Sequence, residues 1–249
     1  MSGFLAAIQF LTTIPVPGRH DFSPEKLGRS AGYFPVIGVI IGLILAGLSW
    51  LFGLLLPSEV TNALLIAFMV IASGGLHLDG FVDTCDGIGG QKPAEDRWRA
   101  MSDSRAGSFG IIGVVLLLLV KYAALNSVPS NSLLITLVMM PMLSRWAMVY
   151  AVFTYKYAKP TGLGKAFKES TGWLGFTVAT VITVVMAMLI AQLIGLVIMI
   201  VAWIVTVIAA AYFKDKFSGL TGDNYGAINE IIEVSVLLLI SLLATRGLF

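Results

Sequence analysis

The stretch "TNALLIAFMVIASGGLHLDGFVDTCDGIGG", residues 61–90, joins an apolar run to a segment with three carboxylates. Elsewhere the chain avoids charge: 57% of its 249 residues are hydrophobic and 12% are charged, against roughly 25% charged in soluble proteins. Several runs exceed the roughly 18 apolar residues that mark a transmembrane helix. Because the alternating pattern of barrel strands is absent, the sequence predicts an all-α, polytopic membrane helix bundle.

Hydropathy predicts about seven transmembrane helices in one integral-membrane domain, residues 1–249. The N-terminal residues 1–18 lack a basic region and end near two prolines, so we expect an interfacial or re-entrant helix there and not a signal peptide. A turn at Gln192 and Gly195 separates the fifth span from the sixth. The glycines of "GVIIG", residues 38–42, predict close helix packing. The predicted spans are 31–56, 60–78, 108–126, 132–153, 172–192, 194–213 and 228–246.

The basic residues fall on one side of this topology. Thirteen of the 16 Lys and Arg residues lie before span one or in the loops after spans two, four and six. The positive-inside rule makes that side cytoplasmic and places the N-terminus there. Lys121, in span three, is expected to snorkel towards the opposite side. The polar, glycine-rich segments share the cytoplasmic face, which predicts a membrane enzyme with its active site there. The net charge of +2 is too small to suggest a nucleic-acid partner.

Asp79, Asp83 and Asp86 have the spacing i, i+4, i+7, which puts them on one face of a helix. Three carboxylates in such proximity repel one another, and a divalent cation relieves the repulsion. Mg²⁺ prefers hard oxygen ligands and often bridges carboxylates to phosphates. The sequence therefore predicts a magnesium site; the alternative is a solvated polar helix end. Cys85 is interpreted as a packing residue.

Further candidates for chemistry flank this motif. His77 is either catalytic or a hydrogen-bonded structural residue, since a continuous helix would place it nearly opposite the aspartates. Asp103 and Arg105 precede span three. They form either a simple ion pair or a further base and a phosphate clamp.

The block "GDNYGAINEIIE" supplies carboxylates and an amide before span seven, so we expect Asp223, Asn224 and Glu230 to join the same cytoplasmic site. An ordinary helix cap by Asp223 or Asn224 is the alternative. Arg145, inside span four, is expected to face the interior and pair with one of the acids of this block.

Five blocks in order resemble one enzyme family: "FLTTIPVP" (10–17), "GGLHLDGFVDTCDGIGG" (74–90), "MSDSRAGSFG" (101–110), "LSRWAMV" (143–149) and "GLTGDNYGAINEIIEV" (219–234). The chain resembles the cobalamin-5′-phosphate synthase family, also called adenosylcobinamide-GDP ribazoletransferase. The resemblance implies a Mg²⁺-dependent inner-membrane enzyme of late cobalamin biosynthesis. Such an enzyme joins adenosylcobinamide-GDP to α-ribazole or its 5′-phosphate and releases GMP. One departure is Ser102, where the family often has a basic residue.

The resemblance also implies roles for the candidate residues. Asp79, Asp83 and Asp86 would hold the metal, and Asp103 or His77 would accept the proton of the attacking ribose hydroxyl. The residues expected to bind substrate are Arg105, Lys165, Asp223, Asn224 and Glu230. For Lys165 a solvated loop is the alternative. The sequence leaves a homo-oligomer open.

Two other classes share some of these features. A CDP-alcohol phosphotransferase also uses helix-borne aspartates and Mg²⁺, but its Ala-Arg pair is missing here and the aspartate spacings differ. A cation-coupled transporter would place its carboxylates near the bilayer midplane, whereas here they fall at the cytoplasmic ends of the predicted spans. Substrate-dependent GMP release would favour the synthase over both.

Overall fold

The computed structural model describes residues 2–16, 24–89, 93–103 and 105–248. Within those ranges the chain is helical, which confirms the all-α prediction. Among the described residues, the one pairing of strand type is an isolated bridge between Tyr157 and Leu220. In chain order the helices are α1 (Ser2–Leu11), α2 (Pro24–Ala31), α3 (Phe34–Gly53), α4 (Ser58–Ala72), α5 (Leu76–Ile88), α6 (Ala94–Met101), α7 (Ser108–Asn126), α8 (Ser130–Thr154), α9 (Leu163–Ser170), α10 (Trp173–Phe217) and α11 (Gly222–Thr245).

Of the predicted N-terminal segment 1–18, α1 is helical, while Met1, Pro17 and Gly18 lie outside the described residues. Gly90, at the end of the aspartate motif, also lies outside them.

Among the described helices, five are long and apolar enough to cross a membrane: α3, α7, α8, α10 and α11. Together α4 and α5 add a sixth if the bent pair counts as one span. Large apolar side chains such as Leu189 and Trp203 are exposed on the outside of these helices, where lipid can cover them. The chain is therefore a multi-pass membrane protein, and the number seven stays a prediction.

The 45-residue α10 is bent back on itself. A straight helix of that length would span about 68 Å, more than twice the roughly 30 Å hydrocarbon core. Ala191 and Gln192 leave helical geometry, and Gln192 has a φ of 51°. A Cβ added to Gly195 would lie 2.2 Å from the carbonyl oxygen of Ala187, so the two limbs contact each other closely. The predicted turn at Gln192 is confirmed.

The predicted span 60–78 is wrong at its C-terminal end. The helix α4 ends at Ala72, and α5 leaves it at an angle of 87°. Gly74 and Gly75 have φ values of +61° and +72°, a left-handed conformation that ends a helix and that glycine adopts without strain. The backbone amide of Thr13 donates to the carbonyl of Ala72 at 2.8 Å and fixes this corner to the segment after α1. The aspartates therefore lie on a separate helix.

The last span begins at Gly222 and not at residue 228. Thr221 and Asn224 form a capping box. The Thr221 hydroxyl accepts from the backbone N–H of Asn224 at 3.2 Å, and the side-chain oxygen of Asn224 accepts from the backbone N–H of Thr221 at 2.9 Å. Such a box satisfies two of the amides that a helix N-terminus leaves free. The early start makes the acidic block part of α11.

The helix α8 lies at the centre of the bundle and packs against α3, α10 and α11. Cβ atoms added to Gly38 and Gly42 would lie 2.3 Å from the carbonyl oxygen of Pro141 and 2.5 Å from the Cα of Val138. Only glycine permits backbones to approach so closely. The interpretation of "GVIIG" as a packing motif is confirmed.

An ionic network lies buried among α7, α8 and α11. Lys121 Nζ lies 2.6 Å from Glu230 Oε2 and 2.7 Å from Glu233 Oε2. Arg145 pairs with the other oxygen of Glu233, which also accepts from Asn229 at 3.1 Å. The predicted pairing of Arg145 with an acid is confirmed. The expected snorkelling of Lys121 is wrong, because two carboxylates inside the bundle compensate its charge.

We predict that Glu233→Gln destabilises the fold by about 3 kcal/mol, because it leaves Lys121 and Arg145 undercompensated in a buried site. Thermal and denaturant unfolding in detergent measure this loss. The control is Asp96→Asn, which breaks an exposed pair with Arg99 and should cost less than about 1 kcal/mol. Equal stability of the two variants would contradict a structural role for the network.

Candidate active site

The helices α5 and α11 meet with their backbones in close contact. A Cβ added to Gly80 would lie 2.8 Å from the carbonyl oxygen of Asp223, and one added to Gly226 would lie 3.1 Å from the α5 backbone. Asn224 Nδ2 donates to Thr84 Oγ1 at 3.0 Å. The structure thus brings together the aspartate motif and the C-terminal block, which are 140 residues apart in the chain.

Four carboxylates lie on the two helices near this contact, without converging on one point. Asp79 is exposed, while Asp83, Asp86 and Asp223 are half-buried. Among the described residues, Asp79, Asp223 and Asp86 repel the charge of Asp83, and Lys159 acts favourably on it. Lys159 Nζ lies 3.4 Å from Asp223 Oδ2. The site therefore has an excess of negative charge, which favours a bound cation.

Asp86 caps α7, a contact that the sequence did not predict. Its two carboxylate oxygens accept from the backbone amides of Gly107 and Gly110, each at 2.8 Å. The N-cap residue of α7 is Gly107 itself, which has no side chain to cap with, and α5 supplies the acceptor. A Cβ on either glycine would lie 2.4 Å from a carboxylate oxygen. The glycines of "RAGSFG" are the signal that could have indicated this contact.

The predicted ligands Asp79, Asp83 and Asp86 are hard oxygen donors next to uncompensated charge, so the residue types fit Mg²⁺. Within the part of the chain that the structure describes, no three carboxylate, imidazole or thiol groups converge closely enough to hold a metal ion. The magnesium site therefore stays a prediction. It rests on the type of these residues and on their charge.

A cavity of about 310 Å³ opens beside the carboxylates. Its charged end carries Asp79, Asp223 and Lys159, and His77 also contributes to its wall. The loop after α8 and the helix α9 contribute residues to its lining. Its aromatic end is formed by Phe10, Phe34 and Phe167, and Tyr157 and Tyr225 also line the cavity.

His77 lies in the wall of the cavity, near the buried ionic network. It is 1% exposed, and Arg145, Glu233 and Lys121 all act on it electrostatically. Its Nε2 has no hydrogen-bond partner among the described residues. Of the two predicted proton acceptors, His77 is the one that lines the cavity.

Asp103 and Arg105 pair with each other on the surface before α7. Two hydrogen bonds join the guanidinium to the carboxylate, at 3.0 and 3.1 Å. The hydrogen bonds from Arg105 lower the pKa of Asp103. Gly107 contacts Asp86, so the loop lies beside the C-terminal part of the aspartate motif.

Two residues expected to bind substrate are engaged inside the protein. Asn224 is fully buried, with its amide shared between Thr221 and Thr84. Glu230 is bound to Lys121 within the bundle. Both side chains therefore help to hold α11 in place.

Lys165 lies outside the cavity, in an adjoining groove of about 410 Å³ that also contains Lys156, Lys159 and Lys168. Lys159 and Tyr157 line both spaces. Lys165 Nζ donates to the carbonyl of Pro160 at 2.8 Å, and burial lowers the pKa of Lys168. The sequence analysis missed Lys159; its signal is the basic loop "KYAKPTGLGK" after span four.

We predict that Asp86→Asn lowers stability by about 1 kcal/mol, because the amide presents one acceptor and one donor to two backbone N–H groups. Asp83→Asn should not lower stability, since it removes a charge that three carboxylates repel. Unfolding of the two variants in detergent tests this contrast. A stable Asp86→Asn would show that the cap contributes nothing.

The chain matches known sequences over almost its whole length. The cobalamin-5-phosphate synthase family model matches residues 3–241. A protein of Geotalea daltonii called adenosylcobinamide-GDP ribazoletransferase is 39% identical over 99% of this chain and 98% of its own. Proteins with the same name from Roseiflexus sp. and Caldanaerobacter subterraneus subsp. tengcongensis are 35% and 31% identical, over 97% and 98% of this chain and 90% and 99% of their own.

No solved structure matches the chain. Because the family match takes in the membrane helices and all four carboxylates of the cavity region, from Asp79 to Asp223, the chain belongs to the cobalamin-5-phosphate synthase family.

Proposed function

We propose that this chain is an adenosylcobinamide-GDP ribazoletransferase of late cobalamin biosynthesis. It transfers the adenosylcobinamide phosphate group to α-ribazole or its 5′-phosphate, releases GMP and forms adenosylcobalamin or its 5′-phosphate. The observation that carries this proposal is the end-to-end match to relatives with that name. The carboxylate cluster beside a cavity supplies a site with suitable chemistry.

In this reaction a ribose hydroxyl oxygen of the acceptor attacks the phosphorus attached to cobinamide. A new P–O bond forms as the bond from that phosphorus to the oxygen of the leaving GMP breaks. The hydroxyl proton goes to a base, for which we propose His77, since it lines the cavity while Asp103 is paired with Arg105 at the surface.

We propose that Asp79, Asp83 and Asp86 hold Mg²⁺, which would neutralise charge on the transferred and leaving oxygens. The cap of α7 uses one lone pair on each Asp86 oxygen and leaves the others for a cation. Asp223 faces the same space and would orient the acceptor ribose.

Phosphate oxygens of the donor would be held by Arg105 and Lys165, together with Lys159, which joins the lysine groove to the cavity. Asn224 and Glu230 act indirectly by fixing α11. We further propose that residues 1–249 act as one domain in the cell inner membrane, with the cavity facing the cytoplasm. The one-sided distribution of Lys and Arg supports this orientation.

We expect Asp83→Asn to lower Mg²⁺-dependent GMP release by at least about 10²-fold, the effect of removing one electrostatic contact to a transition state. GMP is measured with both substrates added to inside-out inner-membrane vesicles, whose cytoplasmic face is accessible. Right-side-out vesicles should release none. The control Asp215→Asn changes an exposed carboxylate that pairs with Lys216 and should keep activity within about twofold.

Near-normal release by Asp83→Asn would remove this residue from the metal site. Release by right-side-out vesicles alone would reverse the proposed orientation.

A further inference from the structure

The aromatic end of the cavity is assembled from three separate elements. Phe10 of α1, Phe34 of α3 and Phe167 of α9 converge there. The ring centroids lie 4.6 Å apart for Phe10 and Phe167, 5.6 Å for Phe34 and Phe167, and 5.9 Å for Phe10 and Phe34. Met148 and Val152 of α8 add aliphatic surface. Phe34 and Phe167 are 2% and 4% exposed, so half-buried Phe10 offers most of the ring surface to a flat, apolar group at this end.

Two tyrosines form the wall between the aromatic and the charged ends. The rings of Tyr157 and Tyr225 lie 6.4 Å apart. A Cβ on Gly162 would lie 2.8 Å from Tyr157 Oη, and one on Gly164 would lie 2.7 Å from Tyr157 Cε2, so these glycines let the loop close over the ring. Burial, followed by the nearby Asp223, raises the pKa of Tyr157. Its phenol is therefore protonated at neutral pH.

The size of the cavity restricts its occupant. A volume of about 310 Å³ is at the lower end of the roughly 300–1,000 Å³ typical of small-molecule sites. A nucleoside with a bicyclic base is of this size class. A corrinoid macrocycle that carries side chains and a nucleotide tail is much larger and cannot enter.

We infer that this cavity binds the acceptor nucleoside, with its apolar bicyclic base among Phe10, Phe34 and Phe167 and its ribose at the Asp79–Asp223 end. The inference rests on the proposed function, which supplies an acceptor of that kind. It makes the three phenylalanines specificity determinants for the acceptor base. The donor then approaches from outside the cavity, where the lysine groove begins.

Guanine is the competing aromatic group, since the donor carries it. Its amide edge requires hydrogen-bonding partners, because burial of such polar groups without them is costly. Phe10, Phe34, Phe167, Met148 and Val152 offer no hydrogen-bonding side chain, and the hydroxyl groups of the lining belong to Tyr157, Tyr225 and Thr161. The apolar lining therefore favours the acceptor base over guanine.

The test is Phe10→Leu, which removes one ring of the wall and keeps an apolar side chain. The matched control is Phe4→Leu on the same helix, whose ring contacts Tyr33 at 5.8 Å and lies away from the cavity. GMP release is measured with each substrate varied in turn. We expect KM for α-ribazole to rise about tenfold in Phe10→Leu, consistent with the loss of one base–aromatic stacking contact. KM for adenosylcobinamide-GDP should stay within about twofold, and Phe4→Leu should change neither.

An unchanged KM for α-ribazole in Phe10→Leu would overturn the inference. A rise confined to adenosylcobinamide-GDP would also overturn it and assign the cavity to guanine. If Phe10→Leu folds poorly, Phe10→Met also removes the ring, keeps a similar apolar volume and carries the same expectation.

Equilibrium dialysis of α-ribazole against the wild-type protein and both α1 variants separates the inference from the proposed function. Wild-type protein that releases no GMP from the two substrates would contradict the function alone. Binding that is weakened in Phe10→Leu and kept in Phe4→Leu would still support the acceptor site, and absence of binding to the wild type would overturn it.

Discussion

Close backbone contact between α5 and α11 determines where the polar groups of this protein lie. Gly80 and Gly226 have no side chains, so the two helices approach until Gly80 lies against the backbone of Asp223. That approach places Asp223 beside Asp83 and opens the cavity at the same point. A side chain at Gly80 would separate the two halves of the site. The α4–α5 corner then matters because it turns α5 out of the direction of the preceding span and against α11.

The buried ionic network holds α11 from the other side. Two cations and two carboxylates meet inside the bundle, and their formal charges cancel. Removing one partner leaves a charge without compensation, whereas the complete set is tolerated in a low-dielectric interior. A transporter would also carry charge inside its bundle, but here each charged group of the network is paired within the protein. His77 lines the cavity and lies within the electrostatic influence of the network.

The sequence was sufficient for features that depend on local pattern. The helical class, the turn at Gln192, the packing role of "GVIIG" and the pairing of Arg145 all followed from hydropathy, small residues or the cost of buried charge. The meeting of the aspartate motif with the C-terminal block followed from topology. Features that depend on tertiary contacts could not be derived. The Gly74–Gly75 pair could end a helix without a change of direction as well as form a corner. Asp86 gives no local sign that it caps another helix. The three phenylalanines of the cavity come from distant elements.

Insertion of one methyl group at the α5–α11 contact tests the central claim most directly. In Gly80→Ala the new Cβ would lie 2.8 Å from the Asp223 carbonyl oxygen, whereas in the control Gly47→Ala it would meet nothing within 4 Å. Because a displacement of about 1 Å can cost 10²-fold in rate, we expect GMP release by folded Gly80→Ala to fall at least about tenfold and release by Gly47→Ala to match the wild type. Wild-type release by a folded Gly80→Ala protein would contradict the account.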